Sequence, residues 1–283
     1  VKTISTPTGR VGYLTFNNHI ATAEKELFDA FTELSLAGVD DLVLDLRYNS
    51  GGYLAIASQL AYMIAGPSSD GETFELTRFN DKHPTVNPIT GTLIEPLPFL
   101  PYTIGLSMDT GQYLPYLSLS RVYVLTSADT CSASEAVING LRGLDIEVVQ
   151  IGGTTCGKPY GFYGLDNCGT TYFTIQFKGV NAKGFGDYPD GFSPSNLSSQ
   201  GGVSIPGCIV DDDFNAFLGD ESESMLRAAL NYRSGAGVCP SQDLGLARLK
   251  KGLSFPRVGT SPVGDALTKP NSPGRIAIDL DAQ

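Results

Sequence analysis

Residues 41 to 46 read Asp-Leu-Val-Leu-Asp-Leu, a short and almost unbroken apolar run. A strand with one face in water alternates polar and apolar residues, so a run of this kind marks a strand covered on both faces. Such a strand obliges the chain to supply layers above and below it. Comparable runs occur at Arg121 to Thr126 and Glu147 to Ile151, with a further strand at Arg10 to Phe16 and another expected at Tyr172 to Phe177. Helical patterns lie between them. Thr22 is placed to cap a helix in which Leu27, Phe28, Phe31 and Leu34 share one face, and Gly38 is placed to stop it. Leu54 to Ala65 is apolar almost all round and reads as a buried helix. Val137, Ile138, Leu141 and Leu144 mark a third helix, and Leu226, Ala229 and Leu230 a fourth over residues 224–232. Strands alternating with helices predict an α/β fold.

Residues 66–118 carry several prolines and no clear period, and read as a long irregular insertion or lid. Beyond Gly235 the chain is rich in Ser, Gly and Pro, which predicts an extended tail over 236–283 after a core of 1–235. With 283 residues, 41% of them hydrophobic, the chain has material for an ample core. A net charge of −11 argues against nucleic acid and anionic lipid as partners. No run of 18 apolar residues exists, so no membrane span is expected. Val1 is not a natural start, and a processed chain that has lost a leader or an anchor is expected. The oligomeric state is not legible.

Five cysteines are present: Cys131, Cys156, Cys168, Cys208 and Cys239. The last four lie in loop-like sequence, where bridges Cys156–Cys168 and Cys208–Cys239 would leave Cys131 free in an oxidising compartment. The alternative is five reduced thiols packed as small hydrophobes. No pair or cluster has metal-ligand spacing, so neither a metal nor a cofactor is expected.

The chemistry-bearing stretch is Thr130-Cys-Ser-Ala-Ser-Glu135, followed 26 residues after Ser132 by Lys158 in Cys-Gly-Lys-Pro. Ser132 and Glu135 form a capping-box pattern, so Ser132 can serve merely as a helix cap. The same position suits a nucleophile, since free amides and the positive end of the helix dipole favour a developing anion. A serine hydroxyl needs a base to become nucleophilic, and a lysine amine supplies one if burial lowers its pKa by roughly 3 units. The residues flanking Lys158 are uncharged, which permits that burial. An oxyanion hole needs two donors; the Ala133 amide offers one, and Gly51 or Gly52 the other. Asp45 and Arg47, two apart at a strand end, read as a structural ion pair or a substrate anchor. His19 and His83 have no distinctive setting and read as structural or surface residues.

Taken together, three segments resemble the C-terminal processing proteases, also called tail-specific serine proteases. They are Asp45-Leu-Arg-Tyr-Asn-Ser-Gly-Gly52, Ser132-Ala-Ser-Glu135 and Ile151-Gly-Gly-Thr-Thr-Cys-Gly-Lys158. The resemblance covers about Arg10 to Tyr232, apart from the insertion. It implies Ser132 as nucleophile, Lys158 as general base, and the Gly52 and Ala133 amides as oxyanion donors. Beside that set, Gly51 stands as a further oxyanion candidate and Asp45, Arg47 and Glu135 as supporting residues. It also implies a crotonase-like or Clp-protease-like layered core, and a protein or peptide substrate cut within or near its C-terminus. This chain departs from the pattern in three ways. The Ser-to-Lys interval is one residue longer. Phe162 stands where some members carry Gln or Glu. No PDZ domain is evident.

The function expected is therefore a serine endopeptidase with a Ser132–Lys158 dyad, bacterial and periplasmic or secreted. One rival is a silent module on the same fold that binds a peptide or apolar ligand. Another is a crotonase-type acyl-thioester enzyme that needs no serine nucleophile.

Overall fold

The apolar runs become the middle of one sheet. The computed structural model describes residues 1–196, 201–235 and 237–239, and the backbone of 275 and 276. In chain order the elements are β1 (Lys2–Thr6), β2 (Gly9–Thr15), α1 (Ala23–Ala37), β3 (Asp41–Asp45), α2 (Leu54–Ala65), β4 (Thr73–Arg78), β5 (Leu97–Pro98), β6 (Arg121–Thr126), α3 (Ala133–Gly143), β7 (Glu147–Gly152), β8 (Tyr160–Phe162), β9 (Leu165–Asn167), β10 (Thr170–Tyr172), β11 (Phe177–Val180), β12 (Phe192–Pro194), β13 (Val203–Ile205), β14 (Gly207–Cys208), α4 (Ser224–Ser234) and β15 (Arg275–Ile276). The main sheet runs β1-β2-β3-β6-β7-β14. Only the β1–β2 pair in it is antiparallel.

Alternation along each central strand feeds two cores. Leu42, Leu44, Val122 and Val124 face a large apolar cluster with residues of α1, α2 and α3. Val43, Tyr123, Leu125 and Val149 face a smaller one with Met225, Leu226 and Ala229 of α4. The α/β expectation therefore holds as a layered sheet with helices on both faces. Thr22 precedes α1 as expected but makes no capping hydrogen bond, whereas Gly38 closes the helix in the left-handed conformation.

Two expectations about the secondary structure fail. Residues 66–118 are not without regular structure: they supply β4 and β5 to a second sheet, β15-β8-β11-β4-β5. The strand expected at Tyr172 to Phe177 is split, because β10 ends with its partner β9 at Tyr172 and pairing resumes only at Phe177. Of the tail expected over 236–283, all but residues 237–239 and the backbone of β15 lies outside the described residues; β15 pairs parallel with β8. No helix among the described residues is long and apolar enough to cross a membrane.

Candidate active site

The carboxyl ends of parallel strands open onto one rim, and the chain crosses there after β3, β6 and β7. After β3, Gly51 and Gly52 have φ of 105° and 138°, values that side chains rarely adopt. Space enforces the same choice. A Cβ on Gly51 would lie 2.9 Å from both the Ala133 amide nitrogen and Ser132 Cβ, and one on Gly52 would lie 2.2 Å from the His19 carbonyl oxygen. The Gly51 amide donates to Asn49 Oδ1 at 2.9 Å. Of the three candidate oxyanion donors, the Gly52 and Ala133 amides are therefore the two without an acceptor among the described residues.

After β6 comes the serine turn. Ser132 is the N-cap of α3, with φ 58° and ψ −112°, a conformation that costs an L-residue about 1–3 kcal/mol. The turn is pinned to the β3 loop on both sides of Ser132. Cys131 N and Ser134 Oγ both donate to the Asn49 carbonyl, at 3.0 and 2.9 Å. Glu135 Oε2 accepts from Ser132 N at 2.9 Å, which completes one half of the capping box. The other half is loose: the Glu135 amide approaches the fully buried Ser132 hydroxyl in capping-box fashion, but without the geometry of a normal hydrogen bond. A residue that served only as a cap would spend its hydroxyl on the helix amides.

After β7, residues 153–159 pass beside this turn without regular structure. Glu135 holds them. Its Oε1 accepts from Thr155 Oγ1 at 2.6 Å and Gly157 N at 2.8 Å, while Oε2 also accepts from Lys158 N at 2.8 Å. One buried carboxylate thus fixes the main chain of both Ser132 and Lys158. The Lys158 side chain is half-buried, with Nζ over the Phe162 ring, 5.5 Å from its centre. The pairing expected for the cysteines needs correction here. Cys131 is not free; it is bonded to Cys156, and Cys168 is left free and exposed. The Cys208–Cys239 bridge is as expected. Cys131, Glu135 and Cys156 are the one cluster of metal-ligating types among the described residues. Its sulfurs are joined to each other, and its carboxylate is already occupied by four donors.

A model of peptidase family S41 matches residues 10–161. The chain belongs to peptidase family S41. The match runs from β2 into β8 and so includes Gly51, Gly52, Ser132 and Lys158. Among solved structures, a Bacteroides fragilis NCTC 9343 protein assigned as an S41 protease superposes with a TM-score of 0.67 and 29% identity, over 83% of this chain and 57% of that one. The photosystem II D1 C-terminal processing protease gives a TM-score of 0.48 and 22% identity, over 69% of this chain and 42% of that one. The chain spans less than two thirds of the length of either. No curated protein matches it.

Between β3 and the glycine pair, Arg47 is fully buried and surrounded by acids. It meets Asp45 at 3.0 Å, Glu223 at 3.0 Å and Asp212 at 2.6 Å. Burial alone would lower the guanidinium pKa, but hydrogen bonds to Glu223 and Asp45 outweigh it and hold it above its ordinary value. Glu223 also caps α4 through the Met225 and Leu226 amides. The cluster therefore clamps the β3 end to α4. Asp45 and Arg47 are an ion pair inside the fold, as the spacing allows, and their partners Asp212 and Glu223 carry no local sequence signal.

His19 is wholly buried beneath the glycine pair. Asn49 Oδ1 lies 3.0 Å from its Nδ1 and already accepts from Gly51 N, so Nδ1 carries the proton. Burial pushes its pKa down to about 4, against smaller opposing effects from Asn49 and Gly51. Above about pH 6.5 the imidazole is neutral in both folded and unfolded chain. Between about 6.5 and 4 only the unfolded chain takes up the proton, so stability falls as pH falls. Urea unfolding should show the wild type losing on the order of 3 kcal/mol over that interval relative to His19→Phe, which has no such group. Equal pH slopes for the two proteins would remove this account. His83, in contrast, is partly exposed in the 66–118 segment, on a cavity wall with Arg78, Phe79 and Leu93.

Proposed function

We propose that this S41 chain carries the catalytic centre of a serine endopeptidase acting on protein or peptide substrates. Ser132 attacks the scissile carbonyl as Lys158 removes its proton. The Gly52 and Ala133 amides receive the oxyanion, and water hydrolyses the acyl-enzyme. The observation that carries this reading is Ser132 itself: a strained backbone at a helix N-terminus, a buried hydroxyl left unspent, and two unspent amides beside it. Strain of this kind is kept where the surroundings over-determine it, most often at functional sites.

In the resting arrangement Ser132 Oγ has no hydrogen-bond partner, so the Ser–Lys hydrogen bond is not yet formed. Resting enzymes commonly hold catalytic groups loosely and tighten them with substrate. The proposed step is rotation of the lysine side chain from the Phe162 ring toward Ser132 as an extended peptide displaces water from the rim. The two disulfides support an oxidising location, periplasmic or secreted.

The test is covalent labelling with a fluorophosphonate, followed by peptide mapping. The expected adduct is on Ser132, absent in Ser132→Ala and suppressed by competing peptide. A chain that binds peptide yet takes no label would instead be a binding module on this fold.

A further inference from the structure

The Cys131–Cys156 bridge joins the two halves of the centre just described. Cys131 immediately precedes Ser132, and Cys156 stands two residues before Lys158. Their Cα atoms are 5.2 Å apart although 25 residues separate them along the chain. Through the bridge, the nucleophile and the base are connected by a path of five residues: Ser132, Cys131, Cys156, Gly157 and Lys158. Both anchors are also fixed by main-chain bonds, Cys131 N to the Asn49 carbonyl and Cys156 N to the Thr130 carbonyl, each 3.0 Å. The loop that bears the lysine has no regular structure of its own. Its hydrogen bonds to Glu135 hold it to α3, while the disulfide alone ties it covalently to the strained turn.

We propose that the Cys131–Cys156 disulfide is a positioning element of the active centre, holding the lysine loop against the nucleophile turn; this rests on the Ser132–Lys158 reading. Reduction takes two electrons and two protons, which a dithiol reductant supplies while closing its own disulfide. The product is a folded chain with two thiols and a loosened dyad. Displacing a catalytic group by about 1 Å can cost on the order of 100-fold in rate. A lysine serves as a base near neutrality only while it is held out of water at the moment of proton transfer, so a displaced lysine should demand a higher pH.

The second bridge provides the control. Cys208–Cys239 ties β14 to the segment after α4, and Cys208 is buried in the smaller core with α4. In a Cys168→Ser background, which prevents exchange with the free thiol, Cys131→Ala/Cys156→Ala is compared with Cys208→Ala/Cys239→Ala. The readouts are turnover of a fluorogenic peptide, its pH profile, and the melting temperature. The first pair should lower kcat about 10- to 100-fold, change KM by no more than about twofold, and move the acid limb of the kcat profile to higher pH. The second pair should lower the melting temperature and leave kcat per folded molecule and the acid limb unchanged. Should the first pair fail to fold, dithiothreitol titration of the parent chain decides. Activity lost with Cys131–Cys156 reduction while ellipticity persists, and restored on reoxidation, supports positioning. Activity and ellipticity lost together overturn it, as do an unaltered kcat and acid limb without the bridge. A parent chain with no Ser132-dependent turnover removes the dyad reading and this proposal with it. Parent turnover indifferent to the bridge removes this proposal alone.

Discussion

Ser132→Ala and Lys158→Ala should each lower kcat on a peptide substrate by about 10,000-fold or more, and the double variant should be hardly worse than either. Residues that act on one proton transfer fail together, so their losses do not add. Stability should respond quite differently. The Ser132 hydroxyl has only its loose capping contact to lose, so Ser132→Ala should unfold in urea within about 1 kcal/mol of the wild type. Lys158→Ala gives up, among its contacts, the approach of Nζ to the Phe162 ring, a small loss at a partly exposed site. Lys158→Arg should keep that contact and remain inactive, since a guanidinium cannot surrender its proton near neutrality. Near-normal turnover in Lys158→Ala would dismiss lysine as the base. Turnover surviving in Ser132→Ala would dismiss the nucleophile.

The dyad candidates could be named because three motifs stand in family order; taken locally, a serine at a helix start reads as a cap and a lone lysine as a surface residue. What joins them could not. Ser-x-x-Glu reads equally as a cap, and nothing in that spacing says that Glu135 also receives Thr155, Gly157 and Lys158 from another loop. The cysteines failed for a related reason. Short loops favour Cys156–Cys168 on entropy, but a bridge forms where folded loops meet, and the crossings after β6 and β7 meet at Cys131 and Cys156. Among the strands, β3, β6 and β7 could be read because burial on both faces leaves them apolar throughout. The β4 strand does alternate, Phe74 and Leu76 against Thr73, Glu75 and Thr77, but over only six residues beside a proline-rich stretch, where so short a signal does not stand out.

Arg47→Met should destabilise the fold by about 3–5 kcal/mol, the cost of leaving buried charges without their partner. The side chain is fully buried and meets three carboxylates: Asp45 at the end of β3, Asp212 in the segment before α4, and Glu223 at the cap of α4 itself. Removing it leaves the charges of Asp45 and Glu223 buried without a counter-ion. It also frees α4 from the end of the strand that leads to Gly51 and Gly52. Packing loss alone is small, because methionine fills most of the same stem volume, so a large effect isolates the electrostatic cause. The triple variant Asp45→Asn/Arg47→Met/Glu223→Gln separates the two explanations further. It removes the unpaired charges, while the amide that replaces the Glu223 carboxylate retains an oxygen for the Met225 and Leu226 amides. More than half of the loss in urea unfolding should then be recovered. If Arg47→Met alone costs less than about 1 kcal/mol, the cluster is no clamp, and the alternative role for Arg47 as a substrate anchor returns, to be read from KM.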